Sequence, residues 1–573
     1  MALKIFSFII FLISSLSSIG QGSIFQFGIV IDEIMADPTP VTGLPDAEWV
    51  ELKNTSGNDI NLLGWRLGKP SAQSGPMPSY LLKADSFLIV CTGSAVAALS
   101  PFSPVISVTS FPSLANGGDL IYLKSPQGGI IHSVNYTDAW YRNELKRSGG
   151  WSLEMIDTKN PCSGSSNWAA SIDSRGGTPG KTNSIDGANP DATSPRLLRA
   201  YAIDSLNVVL VFNEGLDSIG SSLVANYTIS DGISIGSAIP LAFQFDRVQL
   251  RLVNPMIRNK IYTVNTTNSK DCSGNLVSTS ANSAKVGLSE PVDTLDIVVN
   301  EILFNPRSNG TDFVELYNRS TKILNLKNIY VANRGASGDL ASIAQVSIED
   351  NLFFPGDFIV LTEDVQVIKD EFVTLHPEAF VEMTSLPSYN DDKGSVVVLN
   401  ELGKIIDEVN YNEKWHFKLI NNNEGISLER IDYYGLSNSA ENWHSAAASV
   451  SYATPTYRNS QLRLAETVKG EISISPAVFS PDNDGLDDFA TIQYTFPQAG
   501  YVANVTIFDA AGRAVRYLQR NSLSGSSGTY RWDGLDERNI KLPVGLYIVY
   551  TEIFNLDGQT KRFKNTIVLA RKN

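Results

Sequence analysis

The segment "IVIDEIMADPTPVTGLPDAEWVELKNTSGNDINLLGWRL" at 29–67 returns at 297–331 as "IVVNEILFNPRSNGTDFVELYNRSTKILNLKNIYV". The correspondence continues downstream. "ADSFLIVC" answers "PGDFIVLT", and "NGGDLIYLKSPQGGIIHSVNYTDAW" answers "DKGSVVVLNELGKIIDEVNYNEKW". It closes with "GGWSLEMIDTKNPCSGSSNWAASIDSRGGTPGKTNS" against "EGISLERIDYYGLSNSAENWHSAAASVSYATPTYRNS". A repeat this long is one fold made twice. It sets two equivalent domains at 25–186 and 295–460, with different segments at 193–290 and 468–573. The stretch "SRGGTPGKTNSIDGANPDATSP" has the composition of a linker. A chain of 573 residues needs several cores in any case.

Apolar runs of four to nine residues, bounded by Gly, Asn, Asp or Pro, predict strands at 48–53, 87–90, 119–123, 208–212, 249–252, 395–399, 502–509 and 546–554. Helical periodicity is confined to short stretches at 94–99 and 365–372. The expected class is all-β, as tandem immunoglobulin-like β-sandwiches.

Lys4, the apolar run Ile5 to Ile13 and the small residues up to Gly20 read as a signal peptide over 1–20. The run is too short to span a bilayer, and no transmembrane segment is expected in the mature chain. The expected product is exported, either secreted or held at the cell surface or outer membrane. Asp and Glu outnumber Lys and Arg by 60 to 45, and no basic patch stands out, so no nucleic-acid partner is expected. Three scattered cysteines exclude a dense disulfide scaffold or a zinc knuckle. Buried free thiols are expected, with a Cys91–Cys162 bridge as the alternative that would leave Cys272 unpaired.

The repeated unit resembles the lamin-tail domain family, an immunoglobulin-like sandwich with bacterial members in exported multidomain proteins. In the first copy the resemblance rests on Asp32-Glu33-Ile34 with Asp37-Pro38, Glu48-Trp49-Val50-Glu51-Leu52, Asn54, Leu62, Gly64 and Trp65. In the second it rests on Asn300-Glu301-Ile302 with Asn305-Pro306, Phe313-Val314-Glu315-Leu316, Asn318, Asn325 and Leu326, while Asn328-Ile329 replaces the Gly-Trp step. The middle segment resembles bacterial Ig-like domains of the surface-layer type, through Phe212-Asn213-Glu214-Gly215-Leu216-Asp217, Asn226-Tyr227-Thr228 and Asp271-Cys272-Ser273-Gly274-Asn275. The last resembles Ig-like C-terminal units of flagellar hook-cap proteins and exported Bacteroidetes proteins. Phe479-Ser480-Pro481, Trp532-Asp533-Gly534 and Gly545-Leu546-Tyr547 carry that likeness. It implies a type IX secretion sorting signal, which the terminal Lys561, Arg562, Lys564, Arg571 and Lys572 fit loosely.

"SPDNDGLDDF" offers Asp482, Asn483, Asp484, Asp487 and Asp488 around Gly485, the oxygen-rich chemistry a Ca2+ ion takes. It is not a full EF-hand, because Gln493 stands where the closing glutamate belongs; a solvated, capped turn is the plainer reading. Glu33, Asp37 and Glu51 are a second acidic set, matched by Glu301, Asn305 and Glu315. Asp37 becomes Asn305 and Asp32 becomes Asn300, which weakens any acid/base pair, so turn capping and salt links to Lys or Arg are expected. His416 and His444 have no histidine counterparts, and His132 lies outside any Gly-x-Ser-x-Gly elbow. Nucleotide-binding and His-Glu-x-x-His motifs are absent. Tryptophans at matched positions, Trp140 with Trp415 and Trp168 with Trp443, read as shared core; a ligand platform is the alternative.

The expected function is a non-catalytic secreted or cell-surface scaffold that binds envelope or extracellular protein partners, or glycans, through its β-sandwiches. An accessory chain of a carbohydrate-active or nuclease-type enzyme with a cryptic carboxylate site is the alternative, as is a dedicated glycan-binding module. Convergence of Glu33, Asp37 and Glu51 on one cleft would favour the enzyme-linked reading.

Overall fold

The computed structural model describes residues 26–464, 470–496 and 498–571. The expected signal peptide therefore lies outside the described residues. The described residues form β-strands in discrete, mainly antiparallel sheets, and among them α-helix is confined to short turns such as Val96–Leu99 and Val365–Glu371. It divides into two compact units, Met1–Met256 with Ile261–Val286, and Ile257–Lys260 with Gly287–Asn573.

In the first unit, a six-stranded sheet centres on β1 (Ile29–Met35), paired with β2 (Trp49–Asn54) on one side and β3 (Leu153–Met155) on the other. Phe87–Cys91 and Val105–Ser107 extend it beyond β2, the last as a parallel pair. A four-stranded sheet containing Gly118–Lys124 and Ile130–Thr137 faces it. The side chains between include Ile34, Val50, Leu52, Trp65, Leu123 and Trp168, all buried. Burying side chains of this size removes the apolar area that stabilises the sandwich, at roughly 25 cal/mol per Å². A second sheet set follows, with Leu197–Asp204, Asn207–Phe212, Arg247–Leu252 and Ile235–Leu241 in one sheet and Tyr227–Ile229, Tyr262–Thr266 and Ser283–Val286 in another.

The second unit repeats the plan. Here β4 (Ile297–Leu303) lies between β5 (Phe313–Asn318) and β6 (Leu428–Arg430). Again a parallel pair, Phe358–Thr362 with Phe380–Glu382, ends the sheet. The C-terminal sheets contain three and five strands, the longer ones being Val502–Asp509, Gly545–Phe554 and Thr560–Leu569.

Register matters most at β1 and β4. The β1–β2 pairing shifts between Ile31 and Glu33, and the β4–β5 pairing shifts between Val299 and Glu301. Asp32 and Asn300 are thus the extra residues of matching β-bulges. After each bulge, Glu33 lies opposite both Glu51 and Glu154, and Glu301 opposite both Glu315 and Glu429. Directly opposed residues share one sheet face. Each copy therefore carries a row of three glutamates across three strands, on the face turned away from the main core.

One expectation about the cysteines is corrected. Cys162 is bonded to Cys272, with Cα atoms 6.1 Å apart, and Cys91 is the buried free thiol. Cys91 belongs instead to an apolar cluster with Met35, Trp49 and Ile89. Sequence spacing does not report which loops meet in space, and the bridge here joins two different sheet sets within the first unit.

Candidate functional site

The glutamate rows place six acids in buried, directly opposed positions. Like charges opposed across strands are destabilising, yet Glu33, Glu51, Glu154, Glu301, Glu315 and Glu429 are all fully buried. What covers them is the last segment of each repeat, running from Thr178 to Ser184 and from Thr454 to Ser460. This strap enters through a residue in the left-handed region, Gly176 (φ 92°) in the first copy and Tyr452 (φ 71°) in the second. Glycine meets that requirement freely, whereas a tyrosine there is held by its surroundings.

The strap supplies the donors that the acids need. In the first copy, Thr178 N–H donates to Glu33 Oε1 at 2.8 Å, and Ser152 Oγ donates to the same oxygen at 2.6 Å. Gly180 N–H donates to Glu51 at 2.7 Å. Thr178 Oγ1 and Ser184 Oγ donate to the two oxygens of Glu154, each at 2.8 Å. The second copy repeats the pattern. Thr454 N–H donates to Glu301 at 2.9 Å, Thr456 N–H to Glu315 at 2.6 Å, and Thr454 Oγ1 and Ser460 Oγ to Glu429, each at 2.8 Å. Ser427 Oγ donates to Glu301 as Ser152 does to Glu33. Asn183 and Asn459 tie the strap to the bulges themselves, donating to the carbonyl oxygens of Asp32 and Asn300 at 3.1 and 3.0 Å.

Burial governs the protonation of these acids. It is the largest cause raising Glu33, Glu51, Glu315 and Glu429 above the usual carboxylate range, reinforced at Glu33, Glu51 and Glu315 by neighbouring row members. Burial, then Glu429, pushes Glu301 up to about 8, and burial pushes Asp32 up to about 7 against the pull of Lys53. Among the described residues, both Asp32 oxygens and Oε2 of Glu33 and of Glu51 are buried without a hydrogen-bond partner. A carboxyl group that keeps its proton becomes a donor, which is how opposed acids coexist in a dry site.

The expectation of turn capping and salt links is therefore corrected for Glu33 and Glu51: their partners are hydroxyls and strap N–H groups. Asp37 does not join them; its carboxylate accepts a long bond from Thr39 N–H at 3.4 Å. Glu154 and Glu429 were missed as row members, although "SLEMID" and "SLERID" align in the repeat, as do "TPGKTNS" and "TPTYRNS". Clefts of about 270, 320 and 680 Å³ lie elsewhere, and none is lined by a row glutamate. The rows hold the strap.

Of the five residues expected around Gly485, Asp482, Asp484 and Asp488 bring carboxylate oxygens within 4.8 Å of one another. Asp488 already accepts the N–H groups of Asn483 (2.6 Å) and Gly485 (2.9 Å). Asp487 contributes no atom to that set, and both it and Asn483 adopt left-handed φ. Ca2+ takes about six to eight oxygen ligands, and these three carboxylates offer part of such a set.

His132 and His416 are buried. Ile31 N–H donates to His132 Nδ1 at 2.8 Å, and burial lowers His132 to about 4. His416 is buried against Phe304 and likewise lowered to about 4, by burial and then His444. Trp49, Trp65, Trp168 and Trp443 are buried core, whereas Trp140, Trp151 and Trp415 are half-buried.

Residues 27–138 match the family model of the lamin tail domain, a structural and non-catalytic module. No curated protein matches the chain. Among solved structures, a DUF4876 family protein from Bacteroides thetaiotaomicron VPI-5482 is similar at 14% identity, over 41% of this chain and 96% of that one, with a TM-score of 0.19. The S-layer protein rSbsC(31-844) is similar at 12% identity, over 67% of this chain and 55% of that one, with a TM-score of 0.16. A tetra-tandem repeat from the extending region of a large adhesion protein is similar at 11% identity, over 95% and 99%, with a TM-score of 0.13. The chain spans about half the length of the S-layer chains it matches, 45% for the N-terminal part of SbsC and 55% for the longer fragment.

Proposed function

We propose, with the lamin-tail module as premise, that this chain is an exported, non-catalytic scaffold that binds envelope or extracellular partners through loops and edges of its β-sandwiches. One observation carries the reading. The carboxylates best placed for acid/base chemistry are fully buried and accept hydrogen bonds from their own strap, in both copies. A reaction centre needs acids that a substrate can reach. A rigid framework needs the opposite, and rigid frameworks carry binding loops well.

Calcium is part of the proposal. Asp482, Asp484 and Asp488 would hold one Ca2+ and stiffen the loop at the edge of the C-terminal sheets. Calorimetric titration of the purified chain with CaCl2 is expected to show saturable heat and a raised melting temperature; neither heat nor stabilisation removes the metal from the proposal. For the scaffold itself, proximity crosslinking in intact cells is expected to capture defined surface partners. Turnover of any substrate by the purified chain would overturn the reading.

A further inference from the structure

The second repeat and the C-terminal sheets belong to one compact unit, and the strap of the second copy runs straight into the contact between them. Ser460, whose hydroxyl donates to Glu429, accepts at its carbonyl from Ser526 N–H at 2.7 Å. The next residue, Gln461, is fully buried. Its N–H donates to Glu429 at 2.8 Å, its Oε1 accepts from Gly500 N–H at 3.2 Å, and its Nε2 donates to the Ser524 carbonyl at 3.3 Å. Phe417 of the repeat is buried together with Val502 and Leu523 of the C-terminal sheets. The first copy carries Ile185 and Arg142 at the positions of Gln461 and Phe417, so this docking chemistry belongs to the second copy.

The same contact covers a histidine. In the second copy the acid row continues onto a fourth strand, β7 (Trp443–Ser445), where His444 lies opposite Glu429; the first copy has Ala169 opposite Glu154. His444 Nδ1 donates to the Ser445 carbonyl at 3.0 Å, since a carbonyl can only accept. The neutral ring therefore keeps its lone pair on Nε2. That atom meets the C-terminal sheets: a Cβ added to Gly500 would stand 3.0 Å from it. Gly500 also has φ 79°, so both its conformation and this close approach call for glycine. The Phe417 ring lies beside the imidazole, with centroids 5.3 Å apart.

A proton added at Nε2 would place a charge and an N–H against Gly500, away from water. Two titratable groups face it. Glu429 is directly opposite, but burial favours its uncharged form, which makes it a poor counter-ion. His416, from the loop that carries Phe417, can add only like charge. On the C-terminal side, the segment 498–503 contains no acid. Burial accordingly lowers His444 below the ordinary histidine range, opposed only by its bond to Ser445.

We propose that His444 is an acid-release latch: while its ring is neutral the C-terminal sheets dock on the second repeat through Gly500, Gln461 and Phe417, and a proton taken from solvent at Nε2 frees them and uncovers Phe417, Val502 and Leu523. Undocked, the ring regains water and an ordinary value of about 6.5. Docking is therefore level above about pH 6.5 and weakens by up to about tenfold per pH unit below it, until the docked ring itself titrates.

Hydrogen exchange on the full chain reads docking at peptides 498–503 and 523–527, with 547–553 reporting that the C-terminal sheets stay folded. From about pH 7.5 to about pH 5, corrected for intrinsic exchange, protection at the first two is expected to fall about tenfold or more while 547–553 is unchanged. His444→Gln is expected to abolish that fall. Gln461→Ile, which imports the residue of the first copy, is expected to loosen both peptides at neutral pH. Imidazole 13C NMR follows His444 itself among the four histidines of the chain, its signal identified by its loss in His444→Gln. Its midpoint is expected below the ordinary histidine range in the unaltered chain and higher in Gln461→Ile. Protection independent of pH, a fall that survives in His444→Gln, or a midpoint that Gln461→Ile leaves in place would overturn the inference. None of these outcomes bears on which partners the scaffold binds, so the latch and the scaffold reading fail separately.

Discussion

The two repeats meet one structural demand with different charges. Each bulge turns a backbone N–H inward. In the first copy Ile31 N–H is accepted by a neutral His132; in the second, Val299 N–H is accepted by Asp407 Oδ2 at 2.9 Å. The neighbouring positions differ accordingly. Met155 needs no partner, whereas Arg430 is fully buried, 3.1 Å from Asp407, and donates through Nε to the Val299 carbonyl at 2.6 Å. Cys162, which takes the bridge to Cys272, stands where the second copy has Ser437, whose hydroxyl donates to Asp407 at 2.5 Å. Asp32, whose carboxyl oxygens have no hydrogen-bond partner among the described residues, stands where Asn300 donates to Glu315 at 2.7 Å. The common element is an accepted N–H at the bulge and a strap that donates to the row; charge is exchangeable as long as the partner changes with it.

That comparison gives its own tests. Arg430→Met imports half of the first copy's solution and leaves Asp407 buried without its cation. It is expected to destabilise the second sandwich by about 3–5 kcal/mol. Adding Asp407→His completes the transplant and is expected to recover most of the loss. Denaturant unfolding, with hydrogen exchange at 297–303 to localise the effect, measures both; a double variant no better than the single would break the equivalence. Thr454→Val removes a hydroxyl that lies 2.8 Å from Glu429 and 3.0 Å from Glu301. It is expected to cost about 1–3 kcal/mol, with Thr178→Val costing a similar amount in the first copy. The smallest effect is a gain. Asp32→Asn gives the first copy the donor that the second already has, and is expected to add about 1 kcal/mol. Because Asp32 is raised to about 7, the unfolded chain loses this proton first, so the gain grows as pH rises from the ordinary carboxylate range to about 7 and is level above it.

Much of the fold was legible before any coordinates. The strand expected at 502–509 is Val502–Asp509, and the helix expected at 365–372 is Val365–Glu371. Alternation and turn residues are local signals, and the repeat supplies each of them twice. The acid rows were half legible. Glu33 and Glu51 stand out in the opening motif, but their convergence depends on a one-residue bulge at Asp32, which shifts register without leaving a distinctive residue type. Glu154 is more than a hundred residues from Glu33, and only sheet pairing unites them. The cysteine pairing was illegible for the same reason: bridge partners are set by which loops meet, not by spacing.

The central claim is that the glutamate rows are internal clasps that fold best with their protons on. Groups raised above their unfolded values contribute stability that is fully present below the unfolded pKa and is lost as pH rises through the folded one, which for Glu301 is about 8. Thermal melts of the chain from about pH 5 to about pH 9, with and without Glu33→Gln and Glu301→Gln, test it directly. The account predicts that the unaltered chain loses roughly 2–4 °C or more of Tm toward the alkaline end, and that the paired glutamine variant loses much less while binding its partners normally. A flat profile in the unaltered chain, or one that the glutamines leave unchanged, would contradict it.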